Sequence, residues 1–224
     1  MTARVFLVGS LAVGLLPSFR PSVFPSLAAQ DADAIASRAS RIYRGLASIQ
    51  ADFHQVIEDR MIGTQESKGQ LIQAGDAKLV MRFSDPKGDE IVIDGDYVWL
   101  YTPSTTPGQV IRTPVSHDPV YGPNVLARIL DRPTERYRVS HLRADTLGDL
   151  VVDVLEFVPN VGDPLFRRAV IWFDRRDGLP RRLELDEMTG VRRTLDLSRI
   201  RVNVPVSAGT FTFKVPAGVR VVEQ

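Results

Sequence analysis

The chain has 224 residues, 44% hydrophobic and 25% charged, a balance that sustains a packed core and excludes a disordered or fibrous polymer. Its 28 basic and 27 acidic side chains leave a formal net charge of +1, so no global field draws in nucleic acid. There is no cysteine, which excludes disulfides, thiol catalysis, Cys-based zinc sites and a lipid-bearing cysteine at a signal cleavage point.

The first segment reads as targeting information. A basic start, "MTAR", leads into an uncharged run from Val5 to Leu16, and Ser26 and Ala28 stand at the −3 and −1 positions of a cleavage site. About twelve apolar residues fall short of the roughly twenty that span a bilayer. Residues 1–28 are therefore expected to be a cleaved export signal, with 29–224 as one domain in the periplasm; an uncleaved anchor is the competing reading.

From Asp31 to Ile49 the residues Ile35, Ala39, Ile42, Tyr43 and Leu46 recur at helical spacing, which predicts one amphipathic helix. The period then becomes two. "ADFHQVI", "KGQLIQAG", "AKLVMRFSDP", "DEIVIDG" and "YVWLYTP" are short β-rich runs separated by Gly, Asp and Pro. The Pro- and Gly-rich middle holds one helical candidate, "PNVLARIL", with Pro123 suited to its start. Strand patterns resume with "YRVSHL", "LVVDVLEFVP", "FRRAVIWFD", "PRRLELDE", "VRRTLDLSRIRVN" and "TFTFKVP", and hairpin turns are expected at Asp177-Gly178 and Thr189-Gly190. The sum is about eleven antiparallel strands and a few helices, without an internal repeat. A sheet that wide must coil or split.

No pattern points to catalysis. His54, His117 and His141 are far apart, and there is no GxSxG elbow, phosphate-cradling glycine loop or HExxH helix. The expectation is a protein that is not an enzyme and uses no cofactor or metal. The arginine-rich stretch Asp174–Arg193 lacks the interleaved aromatics of a nucleic-acid platform; it reads as a solvated hairpin face or as a docking surface.

Several strands are instead apolar on both faces. A turn centred on Gly95-Asp96 places Ile91, Ile93, Val98 and Leu100 on one side, and Val92, Tyr97, Trp99 and Tyr101 on the other. One face requires a core, and the other a cover or a ligand.

The order of motifs resembles the periplasmic lipoprotein carrier family of the LolA type. The resemblance is carried by an N-terminal helix leading into "SIQADFHQ", then "GQL", "MRFSDP", "IVIDGDYVWLYTP", "NVLARIL", the hairpins around "DGLP" and the terminal "FTFKVPAGVRVV". It implies a mainly β (α+β) fold, an unclosed antiparallel half-barrel of about eleven strands lidded by helices, with residues 211–215 forming one of the staves. It also implies a monomeric carrier that ferries the acyl chains of lipoproteins from an inner-membrane lipoprotein-releasing transporter to an outer-membrane acceptor. A periplasmic lipid- or lipoprotein-sensing module with the same half-barrel is the alternative. On that fold Leu79, Met81, Phe83, Ile91, Ile93, Val98 and Leu100 are expected to face the acyl-chain cavity, with Val125, Leu126, Ile129 and Leu130 presented from a lid helix. Met81 is either an adaptable wall residue or plain core. The family commonly carries an arginine after the "GxL" strand that is thought to latch the lid, and Gly75 stands there in this chain. Closure is then expected to rest on apolar contacts, or on another donor such as Arg82 or Arg128, and Gly75→Arg to slow cargo release.

Overall fold

A computed structural model describes residues 27–75, 77–115, 124–162 and 165–224. The export-signal segment falls almost wholly outside them, as does His117. The first element is a helix, α1 (Leu27–Arg44), followed by strands β1 (Ser48–Asp59), β2 (Gly63–Ala74), β3 (Lys78–Asp85), β4 (Lys87–Ile93), β5 (Tyr97–Tyr101) and β6 (Gln109–Pro114). Two short helices follow, α2 (Val125–Leu130) and α3 (Pro133–Arg136), then β7 (Tyr137–Leu147), β8 (Leu150–Pro159), β9 (Phe166–Asp174), β10 (Pro180–Glu187), β11 (Arg192–Val202) and β12 (Arg220–Glu223).

Among the described residues all twelve strands join one open sheet in the order β12-β6-β5-β4-β3-β2-β1-β11-β10-β9-β8-β7. Every pair is antiparallel except β12 on β6, which is parallel. Twist accumulated over so many strands curls the sheet into a half-barrel. The hairpin turns fall where positive φ is needed: Gly178 (φ +70) joins β9 to β10 and Gly190 (φ +89) joins β10 to β11.

Two expectations about the strands are corrected. Residues 211–215 form no strand: a 3-10 turn (Ala208–Phe211) ends at Phe211, and an extended segment continues without ladder pairing. Its alternating apolar residues are satisfied by lying across the outer face of the sheet, where Phe211, Val206 and Phe213 pack on Val80, Val92, Ile72 and Trp99. The strand count still rises to twelve, because the Pro- and Gly-rich middle hides β6 and the last four-residue run, β12, pairs with it.

The principal core lies on the inner face. α1 presents Ala32, Ala36, Ala39 and Tyr43 there, and α2 presents Leu126, Ile129 and Leu130, against Leu71, Leu79, Met81 and Ile93 from the sheet. Alanines at that helical spacing let α1 approach the strands closely. On the outer face of β8 and β9 a smaller cluster of Val152, Val154, Val170 and Trp172 is capped by Arg143 and Arg182 over the Trp172 ring.

The arginines of Asp174–Arg193 are paired with carboxylates, across strands or within the β9–β10 turn, not massed as a free basic patch. Arg182 binds Asp196, Arg193 binds Glu187, Arg192 binds Asp186, and Arg176 and Arg181 both bind Asp174.

Candidate functional site

Strand register builds the inner wall row by row. One row across the sheet runs Ile49, Gln73, Leu79, Ile93, Val98; the next runs Ala51, Leu71, Met81, Ile91, Leu100. Because side chains alternate along each strand, both rows point to the same side. A third row puts Gly69 between Phe53 and Phe83. The two rings meet edge-on at 5.1 Å, and a Cβ on Gly69 would lie 2.8 Å from the Phe53 ring and 2.0 Å from the Arg82 carbonyl oxygen, so only glycine fits there.

Of the residues expected from sequence, Leu79, Met81, Ile93, Leu126, Ile129 and Leu130 are buried in the inner core. Phe83, Ile91, Val98 and Val125 are partly buried at its margin. Leu100 lies in the same row but is half-buried and outside that cluster.

A small cavity lies between helices and sheet. Three of the expected residues, Leu79, Met81 and Leu126, line it. Sequence reasoning missed the opposite wall: Ile49 and Leu71 from β1 and β2, Leu195, Leu197 and Ile200 from β11, and Leu179 at the β9–β10 turn. The period-two pattern of β1 and β11 contained that signal, but nothing in the sequence pairs those strands, which lie far apart in the chain. The cavity measures about 30 Å³, room for one or two waters against the roughly 300–1,000 Å³ of a typical ligand pocket. The lid residues themselves fill the space in this state.

Polar contacts fix the lid at a few points. The Tyr43 hydroxyl donates to Gln73 Oε1 at 2.6 Å, and Gln73 Nε2 donates to the Gly75 carbonyl at 2.8 Å. The Ser40 hydroxyl donates to the Leu130 carbonyl at 2.7 Å, tying α1 to α2. Arg38 donates to the Arg175 and Arg176 carbonyls of the β9–β10 turn. That turn is itself braced by Asp174, which is 1% exposed. Burial pushes the Asp174 carboxyl up, but hydrogen bonds from Arg176 and the charge and hydrogen bond of Arg181 outweigh it and hold it below the usual carboxylate range.

The two donors proposed for closure divide. Arg82 faces outward, bonded to Glu90 at 2.9 Å and to the Thr210 carbonyl at 3.1 Å, so it is not a lid contact. Arg128 is a buried residue of α2. Gly75 adopts φ +58 in the β2–β3 turn, and a Cβ there would meet nothing within 4 Å. Of the two described histidines, His54 pairs with Glu66 at the surface and His141 with Asp153 in a partly buried contact.

The described residues thus form an open, almost wholly antiparallel half-barrel whose apolar inner wall is covered by helices, not by a second sheet. Residues 44–214 match the model of the family described as outer membrane lipoprotein carrier protein LolA, and the chain belongs to that family. It is 28% identical over 203 residues to the outer-membrane lipoprotein carrier protein of Chromohalobacter salexigens, covering 88% of this chain and 91% of that one. It is 24% identical over 225 residues to the protein of the same name from Azotobacter vinelandii, covering 99% and 98%. The solved structure of an uncharacterized conserved protein from Thermus thermophilus shares the fold, with a TM-score of 0.56 at 15% identity over 87% of this chain and all of that one.

Proposed function

We propose that this protein is a periplasmic lipoprotein carrier that binds the acyl chains of lipoproteins on the inner wall of the half-barrel, taking them from an inner-membrane lipoprotein-releasing transporter and passing them to an outer-membrane acceptor. Family membership supports the carrier role. The observation that carries the acyl site is the inner wall itself: two full rows of largely aliphatic side chains covered, among the described residues, chiefly by α1 and α2, with a cavity of about 30 Å³ between them.

Cargo then enters by displacing the helices, and the displacement sets the affinity. Burying acyl chain yields roughly 0.8 kcal/mol per CH₂, so a fully desolvated anchor on a preformed site would never leave. Exposing the core side chains of the lid offsets much of that gain, and closure of the lid over its own residues drives release. Met81, 5% exposed, lies in the middle of the wall, where an unbranched, polarizable side chain adapts to either packing.

The test is equilibrium binding of a triacylated lipopeptide. Wild-type protein is expected to bind one lipopeptide, and Met81→Gln, close in volume but polar, to weaken binding about tenfold while remaining folded. Wild-type protein that binds no lipopeptide would sink the reading.

A further inference from the structure

The two rims of the sheet differ in what their turns present. Where β1 meets β2, the turn holds Met61 and Ile62, 94% and 67% exposed. The next turn along that rim joins β10 to β11, because Glu58 pairs with Arg192 across β1 and β11, and it holds Met188, 52% exposed. The β8–β9 connection follows, since Phe166 pairs with Glu187, and it holds Val161, 83% exposed. Half of the eight large apolar side chains exposed among the described residues thus fall on three neighbouring turns. At the opposite rim the turns at Asp94-Gly95-Asp96, Gly148-Asp149 and 175–178 consist of charged residues and glycine.

Single exposed apolar residues are ordinary, whereas a group of them on one edge calls for a partner. The turns do not need these side chains for their own shape. Asp59 Oδ1 accepts from the backbone N–H groups of Met61 at 2.6 Å and Ile62 at 3.3 Å, and Gly63 (φ +86) closes the turn. The β10–β11 turn is likewise fixed through its backbone, the Met188 N–H donating to the Leu165 carbonyl and the Gly190 N–H to the Glu187 carbonyl, each at 3.0 Å. Residues 63–67 of β2 run past the end of β3, whose last pair joins Asp85 to Lys68. The tip that holds Met61 and Ile62 therefore projects beyond its neighbour on that side.

A protein partner is usually met by a continuous patch with aromatic anchors near its centre. These side chains are aliphatic and stand on separate turns, an arrangement that a lipid interface admits because it has no fixed pockets to match. Arg60, beside Met61, and Arg167, at the start of β9, are exposed and enter no ion pair among the described residues. Of the carboxylates in the first two turns, Asp59 is bonded to its own backbone, Asp186 to Arg192 and Glu187 to Arg193, which leaves Glu58 exposed. We propose that this rim is a membrane-contact edge: Met61, Ile62 and Met188 enter the headgroup–acyl boundary of a phospholipid bilayer, and Arg60 and Arg167 lie at the level of the phosphates. Attachment through a few side chains is weak and reversible, and it does not depend on what the inner wall binds.

The experiment exploits the absence of cysteine. Met61→Cys and, as a control near the opposite rim, Val151→Cys each accept one environment-sensitive dye. Vesicles of phosphatidylethanolamine and phosphatidylglycerol are expected to brighten the dye at position 61 and shift its emission to shorter wavelength, and to leave the dye at position 151 unchanged. In unlabelled protein, Ile62→Ser combined with Met188→Ser is expected to lower partitioning onto the same vesicles about tenfold, and Arg60→Ala about fivefold. Thermal melting confirms that each variant is folded. No response at position 61, an equal response at position 151, or partitioning that survives the double substitution overturns the proposal. A dimer that the double substitution abolishes, in protein that ignores vesicles, overturns it as well and assigns the tips to a second copy of the chain. No readout uses a lipopeptide, so failure here leaves the carrier reading standing, and failure of the carrier reading leaves this one.

Discussion

Strands β3, β4 and β5 are apolar on both faces, and the two faces are covered in opposite ways. Outside, the C-terminal segment is fastened at every level. Phe213 stacks on Trp99 at 5.3 Å, Arg82 holds the Thr210 carbonyl, Arg112 pairs with Glu223, and β12 runs a four-residue ladder along β6. Inside, α1 and α2 lie on side chains of the same kind, and α1 is tied to the sheet and its turns through Tyr43 on Gln73 and Arg38 on two turn carbonyls. Apolar contact is non-directional, whereas ladder pairing and stacking are not. On the proposed function, the same strand chemistry thus yields a permanent cover on one side and a removable one on the other, and removability is what a carrier requires.

The comparison breaks most visibly at the permanent cover. Phe211 is 6% exposed against Val80 and Val92, so Phe211→Ala is expected to destabilise the protein by about 3–5 kcal/mol. Affinity for a triacylated lipopeptide, measured well below the lowered melting temperature, should not change. A fall in affinity that matches the loss of stability would mean that the outer cover controls the inner wall and that the two faces are not independent.

A smaller effect is expected at the brace of the removable cover. Asp174→Asn removes a buried carboxylate that accepts from Arg176 and Arg181, at a cost of about 2 kcal/mol. Because the folded carboxyl of Asp174 is held below its ordinary value, its contribution is present above the unfolded pKa of about 3.9 and is lost as the pH falls through the lower folded value. The wild type should lose stability in acid along this limb and the variant should lose less, as measured by denaturant titration between neutral pH and about pH 3. Identical acid limbs would show that the turn under α1 is not braced by this charge.

Period-two alternation made most of the fold legible. It placed Leu79, Met81, Ile91 and Ile93 on one face and Val92 and Trp99 on the other, and the cross-strand pairs Leu79 with Ile93 and Val92 with Trp99 keep that division. Alternation reports which face is apolar and says nothing of what covers it. Phe211, Phe213 and Val215 therefore read as a strand, though the aromatic pair serves as a cover without pairing. The site was only half legible for a related reason: Leu195 and Leu197 meet Leu71 and Leu79 in the cavity through the β1–β11 pairing of residues some 140 positions apart, a closure with no local signal.

The smallest expected effect concerns the position where the family's latch arginine would stand. Gly75 sits at φ +58, where an L-residue costs about 1–2 kcal/mol, and a Cβ there has open space around it. The site therefore resists arginine by backbone conformation and not by crowding. Near this position Gln73, on the preceding strand, holds Tyr43 of the lid with one end of its carboxamide and the Gly75 carbonyl with the other. Gly75→Arg is accordingly expected to lower stability by about 1 kcal/mol and to leave the rate of lipopeptide release unchanged. Gly75→Asn separates the two effects, because asparagine tolerates the left-handed region better than arginine does and adds no long cation. If Gly75→Arg slows release while Gly75→Asn does not, the arginine has reached the lid and a second latch can be built on this scaffold. If both release at the wild-type rate, closure of the inner cover rests on Tyr43, Gln73 and the apolar contacts of α2, which is the arrangement that the comparison of the two faces requires.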